Sequence, residues 1–194
     1  MKFFFSATAL AVMFCASSAL ANECSSNYWP GTLPEHEPNS ISVSDLSDFL
    51  ATFPTAEGIK FEIQVKPDEL WIDVLEYPGE VTVAAASRIL FIIGRITADE
   101  FGSLVLADAG EGLFRITEDD IRAIGCQFVW GVEGRGQNPI ALLRQFADAL
   151  TYYDTGRRVA LPFNGSLLGD TNKAMAVLNE AVNPRWVLRT VEIK

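Results

Sequence analysis

The chain of 194 residues has a single histidine and three cysteines, and that scarcity excludes most familiar catalysts. A Ser-His-Asp or Cys-His mechanism must set an imidazole beside its nucleophile. His36 instead stands between Glu35 and Glu37 in a stretch broken by prolines, where a lone histidine reads as a solvated side chain. The sequence contains no Walker loop, dinucleotide fingerprint, HExxH or CxxC pattern, so neither a cofactor nor a metal is expected. Carboxylate chemistry passes this filter because it needs only two acids at a suitable separation. One alternative reading is therefore a cofactor-free hydrolase acting on a cell-wall or polysaccharide substrate.

Positive charge is also scarce, with 15 Lys and Arg against 25 Asp and Glu. Nucleic acid and anionic membrane surfaces repel such a chain, whereas a cationic partner is attracted. The only long apolar run, Phe3 to Cys15, is too short to span a membrane. Preceded by Lys2 and followed by Ala19-Leu20-Ala21, it predicts a signal peptide over residues 1–21 and a periplasmic or secreted product. Cleavage would remove Lys2 and no acid, leaving 14 − 25 = −11. It would also remove Cys15, leaving Cys24 and Cys126 as a natural disulfide in an oxidising compartment.

Proline and glycine punctuate the rest. Residues 22–39 carry three prolines and read as an extended arm anchored by Cys24, with a single domain over 40–194. Leu46, Phe49, Leu50 and Phe53 recur at helical spacing over Asp45 to Phe53. Ile59, Phe61, Ile63 and Val65 alternate with polar residues, the period of a half-buried strand. A second strand over Leu70 to Tyr77 places Trp71, Asp73, Leu75 and Tyr77 on one face; another element is expected to cover these aromatics, the alternative being an exposed aromatic surface of the kind that marks interaction sites. Ala84 to Ile96 predicts the most buried helix, since Ile89 to Ile93 are apolar on every side.

Asp108-Ala109-Gly110-Glu111 joins two short strands as a hairpin. Thr117 then caps a helix through Ile121 and Ile124, with Gly125 as its stop and a strand over Cys126 to Trp130. A helix running through Gly125 is the other reading, and either permits the bridge. Asn138 and Pro139 open a helix whose stripe is Ile140, Leu143, Phe146, Ala147, Leu150 and Tyr153. After an irregular segment from Asp154 to Gly169, Asp170 or Thr171 caps a last helix stopped by Asn183-Pro184. Trp186 to Ile193 reads as a closing strand. Hairpins mixed with helices predict an α+β fold with a largely antiparallel sheet, packed helices and one disulfide.

The candidate surface is the glycine-rich loop of Glu133, Arg135, Gln137 and Asn138, whose glycines let backbone amides converge at a helix start. The pair Arg157 and Arg158 and the face of Trp71 and Tyr77 could extend it. With so poor a catalytic inventory, the expected function is a non-catalytic binding or accessory protein for an unknown protein or small-molecule ligand.

Overall fold

The computed structural model describes Cys24 and residues 40–53, 58–78, 83–98, 101–133 and 136–188. The expected signal peptide, His36 with the rest of the arm, Arg135, and the last residues of the expected closing strand lie outside the described residues. The architecture is α+β, with helices packed on a five-stranded sheet of order β1-β2-β3-β4-β5.

Strands β1 (Lys60–Lys66) and β2 (Glu69–Glu76) form an antiparallel hairpin, pairing Ile63 with Ile72 and Val65 with Leu70. Asp68 turns it from the left-handed region at φ 62°, which aspartate tolerates better than most residues. The strand expected at β1 forms, but the buried face predicted by its alternation holds only through Ile63 and fails at Val65, which is 68% exposed; α1 (Val43–Thr52) packs Leu46 and Leu50 into the core beside it. From β2 the chain crosses through α2 (Val83–Ile96) to β3 (Ser103–Asp108), which is parallel to β2. Strand β4 (Glu111–Thr117) returns antiparallel, and β5 (Thr151–Tyr152) pairs antiparallel with it, so three of the four pairings are antiparallel.

As the unbroken apolar run requires, residues Ile89 to Ile93 of α2 are each at most 1% exposed. Phe91 meets Phe128 and Phe146 with ring centroids 5.8 and 5.3 Å apart. Helix α3 (Glu118–Gln127) starts where Thr117 accepts the Asp120 amide, as its cap sequence requires.

Gly125 does not stop α3, and the strand expected at Cys126 to Trp130 is absent. The chain instead continues as a π-helical turn over Phe128–Glu133. The glycine serves packing: a Cβ there would strike the Phe91 carbonyl oxygen and approach the Arg95 Cβ to 3.0 Å. Gly94 of α2 makes the reciprocal approach, its virtual Cβ lying 2.6 Å from Ile121 Cγ1. Gly125→Ala should therefore cost about 1–3 kcal/mol of overpacking strain despite alanine's better helix propensity. A lowered urea midpoint at unchanged m-value would show it; an unchanged midpoint would mean the helices separate freely. At the same crossing, Arg122 donates to Gly94 O and Thr97 O at 3.3 and 2.7 Å, closing the end of α2.

Helix α4 (Ile140–Ala149) forms as expected, but its buried face is rotated. Leu142 is 4% exposed while Ile140 is 39% exposed. Tyr153 lies beyond the helix because the chain turns into β5 at Thr151. Helix α5 (Leu167–Ala176) begins earlier than expected: Ser166, not Asp170 or Thr171, is the cap, accepting a first-turn amide from Gly169 at 3.2 Å. Its continuation over Val177–Val187 is π-helical and carries Pro184 inside it. Trp186 and Val187 are thus helical rather than strand. The burial of Trp186 is the physical reason, because from the helix its indole reaches the sheet and donates to Ile72 O at 3.2 Å.

Cys24 and Cys126 are joined by a disulfide with Cα atoms 5.5 Å apart, tying the N-terminal segment to the end of α3. No helix among the described residues is long and apolar enough to cross a membrane.

Candidate functional site

A concavity among the described residues lies between the start of α1 and the β1–β2 turn. Along the core face of β1, Phe61 is covered by the ring of Trp186 at 6.4 Å, Ile63 is half-buried, and Val65 is 68% exposed. Helix α1 therefore leaves the last third of that face open. The resulting groove encloses about 530 Å³, with Ile63, Val65, Leu70 and Phe101 as its apolar floor. Ser42, Ser44 and Ser47 line the helix side, and Lys66, Asp68 and Glu69 the turn side. An apolar floor with a polar rim of this size is the usual form of a recognition site.

Most of the rim is already engaged. Ser42 Oγ donates to Asp45 at 2.8 Å, and Asp68 accepts the Gly102 amide at 3.0 Å. Lys66 Nζ lies 3.0 Å from the centroid of the Trp71 ring. Glu69 accepts from Trp71 Nε1 at 2.8 Å and from Tyr153 OH at 3.1 Å. The Ser47 hydroxyl makes no side-chain hydrogen bond among the described residues. Val65 is the most exposed apolar side chain of the groove.

The expected pairing of Trp71 with Tyr77 does not occur. Strand β2 ends at Glu76, so its alternation does not extend to Tyr77, which packs against the main core. Trp71 is 5% exposed on the opposite face and is met edge-on by Tyr153 at 5.3 Å, with Val105 and Ala107 beside it. Trp71 is thus covered, as the sequence predicts, but by Tyr153 from beyond β5 rather than from the α4 stripe. Burial pushes the Tyr153 hydroxyl pKa up, reinforced by its hydrogen bond to the Glu69 carboxylate and by that group's charge.

The glycine-rich loop is less free than its composition implies. The Gly136 and Gln137 amides donate to Val132 O and Gly131 O at 2.9 and 3.0 Å, so neither points at an anion. Pro139, not Asn138, stands at the N-cap of α4, and Asn138 supports the helix start from one residue further back, its Oδ1 accepting the Ile140 amide at 3.0 Å. Glu133 ends the π-helical turn, and Gln137 and Asn138 are exposed. Arg158 pairs with Asp148 at 3.1 Å, near the other end of α4. A ten-residue helix is about 15 Å long, so Arg157 and Arg158 do not join the loop in one constellation. Arg157 instead shares the β5 turn with Tyr153, its carbonyl accepting the Tyr152 amide at 2.8 Å.

No family model, curated protein or solved structure matches the chain.

Two buried acids could be mistaken for catalytic carboxylates. Burial pushes the Asp73 carboxyl up, opposed by the Gly110 amide and reinforced by the charges of Asp108 and Glu62. Asp73 is only 6% exposed and accepts that amide at 3.3 Å, tying down the β3–β4 turn. For Asp170, burial alone would raise the pKa. The Asn164 and Gly165 amides, with Lys173 and Arg144, outweigh burial and hold it below the usual value. Asp170 thereby anchors the Asn164-Gly165-Ser166 segment, accepting those amides at 3.0 and 2.8 Å. No group of three or more His, Cys, Asp or Glu side chains suited to a metal is present among the described residues.

These two acids give pH dependences of opposite sign. Asp170 has a lowered pKa, so its contribution is present above the ordinary carboxylate range and is lost as pH falls through that range and below. Asp73 has a raised pKa, so folding takes up a proton just above that range, and stability falls as pH rises through its folded value. In a series of urea midpoints, Asp170→Asn should flatten the acid limb, while Asp73→Asn should raise stability at neutral pH. Loss of stability in Asp73→Asn at neutral pH would mean that the ionised carboxylate is needed where it sits.

Proposed function

We propose that the chain is an exported, non-catalytic binding or accessory protein whose recognition surface is the groove between α1 and the β1–β2 turn. The observation that carries this reading is Val65. A β-branched side chain on the core face of a strand is left 68% exposed over a preformed cavity, with no gain to the fold from that exposure. Apolar surface held open on rigid elements marks interaction sites. Support for export comes from the disulfide, which oxidising compartments maintain. The acidic balance of 25 carboxylates against 15 basic side chains favours a cationic ligand or partner, with electrostatics setting encounter rate and salt dependence.

The experiment uses immobilised wild-type protein and the matched variant Val65→Asp on periplasmic and culture-medium fractions of the source cells. Position 65 is exposed, so the substitution should change stability by less than about 0.5 kcal/mol. The expected result is a ligand retained by the wild type, released by moderate salt and not retained by the variant. Equal retention by both proteins would remove the groove from the account. Retention insensitive to salt would remove the cationic partner.

A further inference from the structure

We propose that the outer edge of β1 receives an extended, cationic peptide segment as an added strand, with its apolar side chains entering the groove at Val65. This rests on the groove being the recognition surface. Strand β1 ends the sheet order, so among the described residues it has one sheet neighbour, β2. An edge strand offers a row of backbone donors and acceptors to any extended chain, and an added strand runs ~4.8 Å away. Side chains of such a strand alternate between faces. Those on the side of Ile63 and Val65 enter the 530 Å³ groove, and the intervening ones lie beside Glu62 and Gln64.

Charge selects the sign of those intervening residues. On β1, Lys60 is paired with Glu76 at 2.9 Å and Lys66 lies over Trp71 at 3.0 Å. Glu62 is exposed and has no charge partner among the described residues. A lysine or arginine directly across from it would form a favourable cross-strand pair. The formal charge of −10 also disfavours a second copy of the same chain at this edge, because both copies repel.

The test uses the full chain and a synthetic, end-blocked peptide that alternates lysine or arginine with valine or leucine, titrated calorimetrically at low ionic strength. Two further peptides carry N-methyl groups on every second backbone nitrogen, one in each register. In an added strand only alternate amides face β1. One register should therefore raise Kd at least about tenfold and the other leave it nearly unchanged. Val65→Asp and Glu62→Lys should each weaken binding by about tenfold, and reversing the peptide's charges should abolish it.

Equal effects of the two registers would overturn strand addition while leaving the groove as a binding surface. Failure of the cationic peptide, with a cellular ligand still retained through position 65, would overturn the peptide class alone. If neither the peptide nor a cellular ligand depends on position 65, both this proposal and the groove reading fall. Sedimentation of the free protein as a dimer that dissociates on Glu62→Lys would give the edge to a second copy and overturn the proposal.

Discussion

Trp186→Ala is expected to be the most damaging single substitution, lowering stability by about 3–5 kcal/mol through lost burial and an unfilled cavity. The indole is fully buried and packs against Phe61, and its Nε1 donates to the Ile72 carbonyl in β2. Removing it also leaves that carbonyl without its indole donor, a further cost for a buried group. A loss of this size is a large part of the roughly 5–15 kcal/mol that holds most domains folded. Trp186→Phe is the informative partner: it keeps most of the volume and loses only the N–H, so it should cost markedly less. If alanine and phenylalanine are equally and only mildly destabilising in urea, then the π-helical segment does not dock on the sheet as described.

Breaking the disulfide should have the second largest effect. Closing 102 residues of chain separation restricts the unfolded ensemble, worth up to ~4.7 kcal/mol in the chain-entropy picture and about 2–4 kcal/mol in typical measurements. Cys126→Ser should therefore lower the urea midpoint, with protease access appearing first in the N-terminal segment, because α3 retains its contacts with α2. Intact mass offers an independent check. If the chain is cleaved after Ala21 as proposed, alkylation without reductant should add nothing, and alkylation after reduction should add two groups. Two groups added without reductant would show that Cys24 and Cys126 are free thiols.

Where local pattern and tertiary packing agree, the fold is legible in the residues. Strand β1 itself, the Asp108 to Glu111 hairpin, the apolar run of α2 and the Thr117 cap all stand in the structure where periodicity and capping chemistry place them. The misses share one cause, which is long-range contact. Gly125 has the composition of a helix stop, and only the approach of α2 shows that it is a packing glycine. Pro184 has the composition of a terminator, yet the sheet captures Trp186 beyond it. The parallel pairing of β2 with β3 likewise follows from α2 crossing between them rather than from either strand's pattern.

The same holds for the site. Loop composition drew attention to Glu133, Arg135, Gln137 and Asn138, but amides in a glycine-rich loop can be consumed by the turn that forms it, as those of Gly136 and Gln137 are. The groove was masked for the opposite reason. Val65 continues a strand alternation that predicts burial, and only the position of α1 reveals that the helix stops short of covering it. Tyr153 was hidden by an apparent extension of the α4 stripe past Leu150, where β5 begins. The sequence signal that could have found it is Thr151, a β-branched residue directly after a helix end.

The most direct test of the groove as the recognition surface is photo-crosslinking in the cells that make the protein. A photoreactive amino acid is placed in turn at Val65, at Gln137 in the glycine-rich loop, and at Leu161, an apolar side chain 71% exposed away from the groove residues. The account predicts a discrete adduct from position 65, competed by the cationic strand peptide, and none from 137 or 161. Adducts only from position 137, or equal labelling from all three, would contradict it.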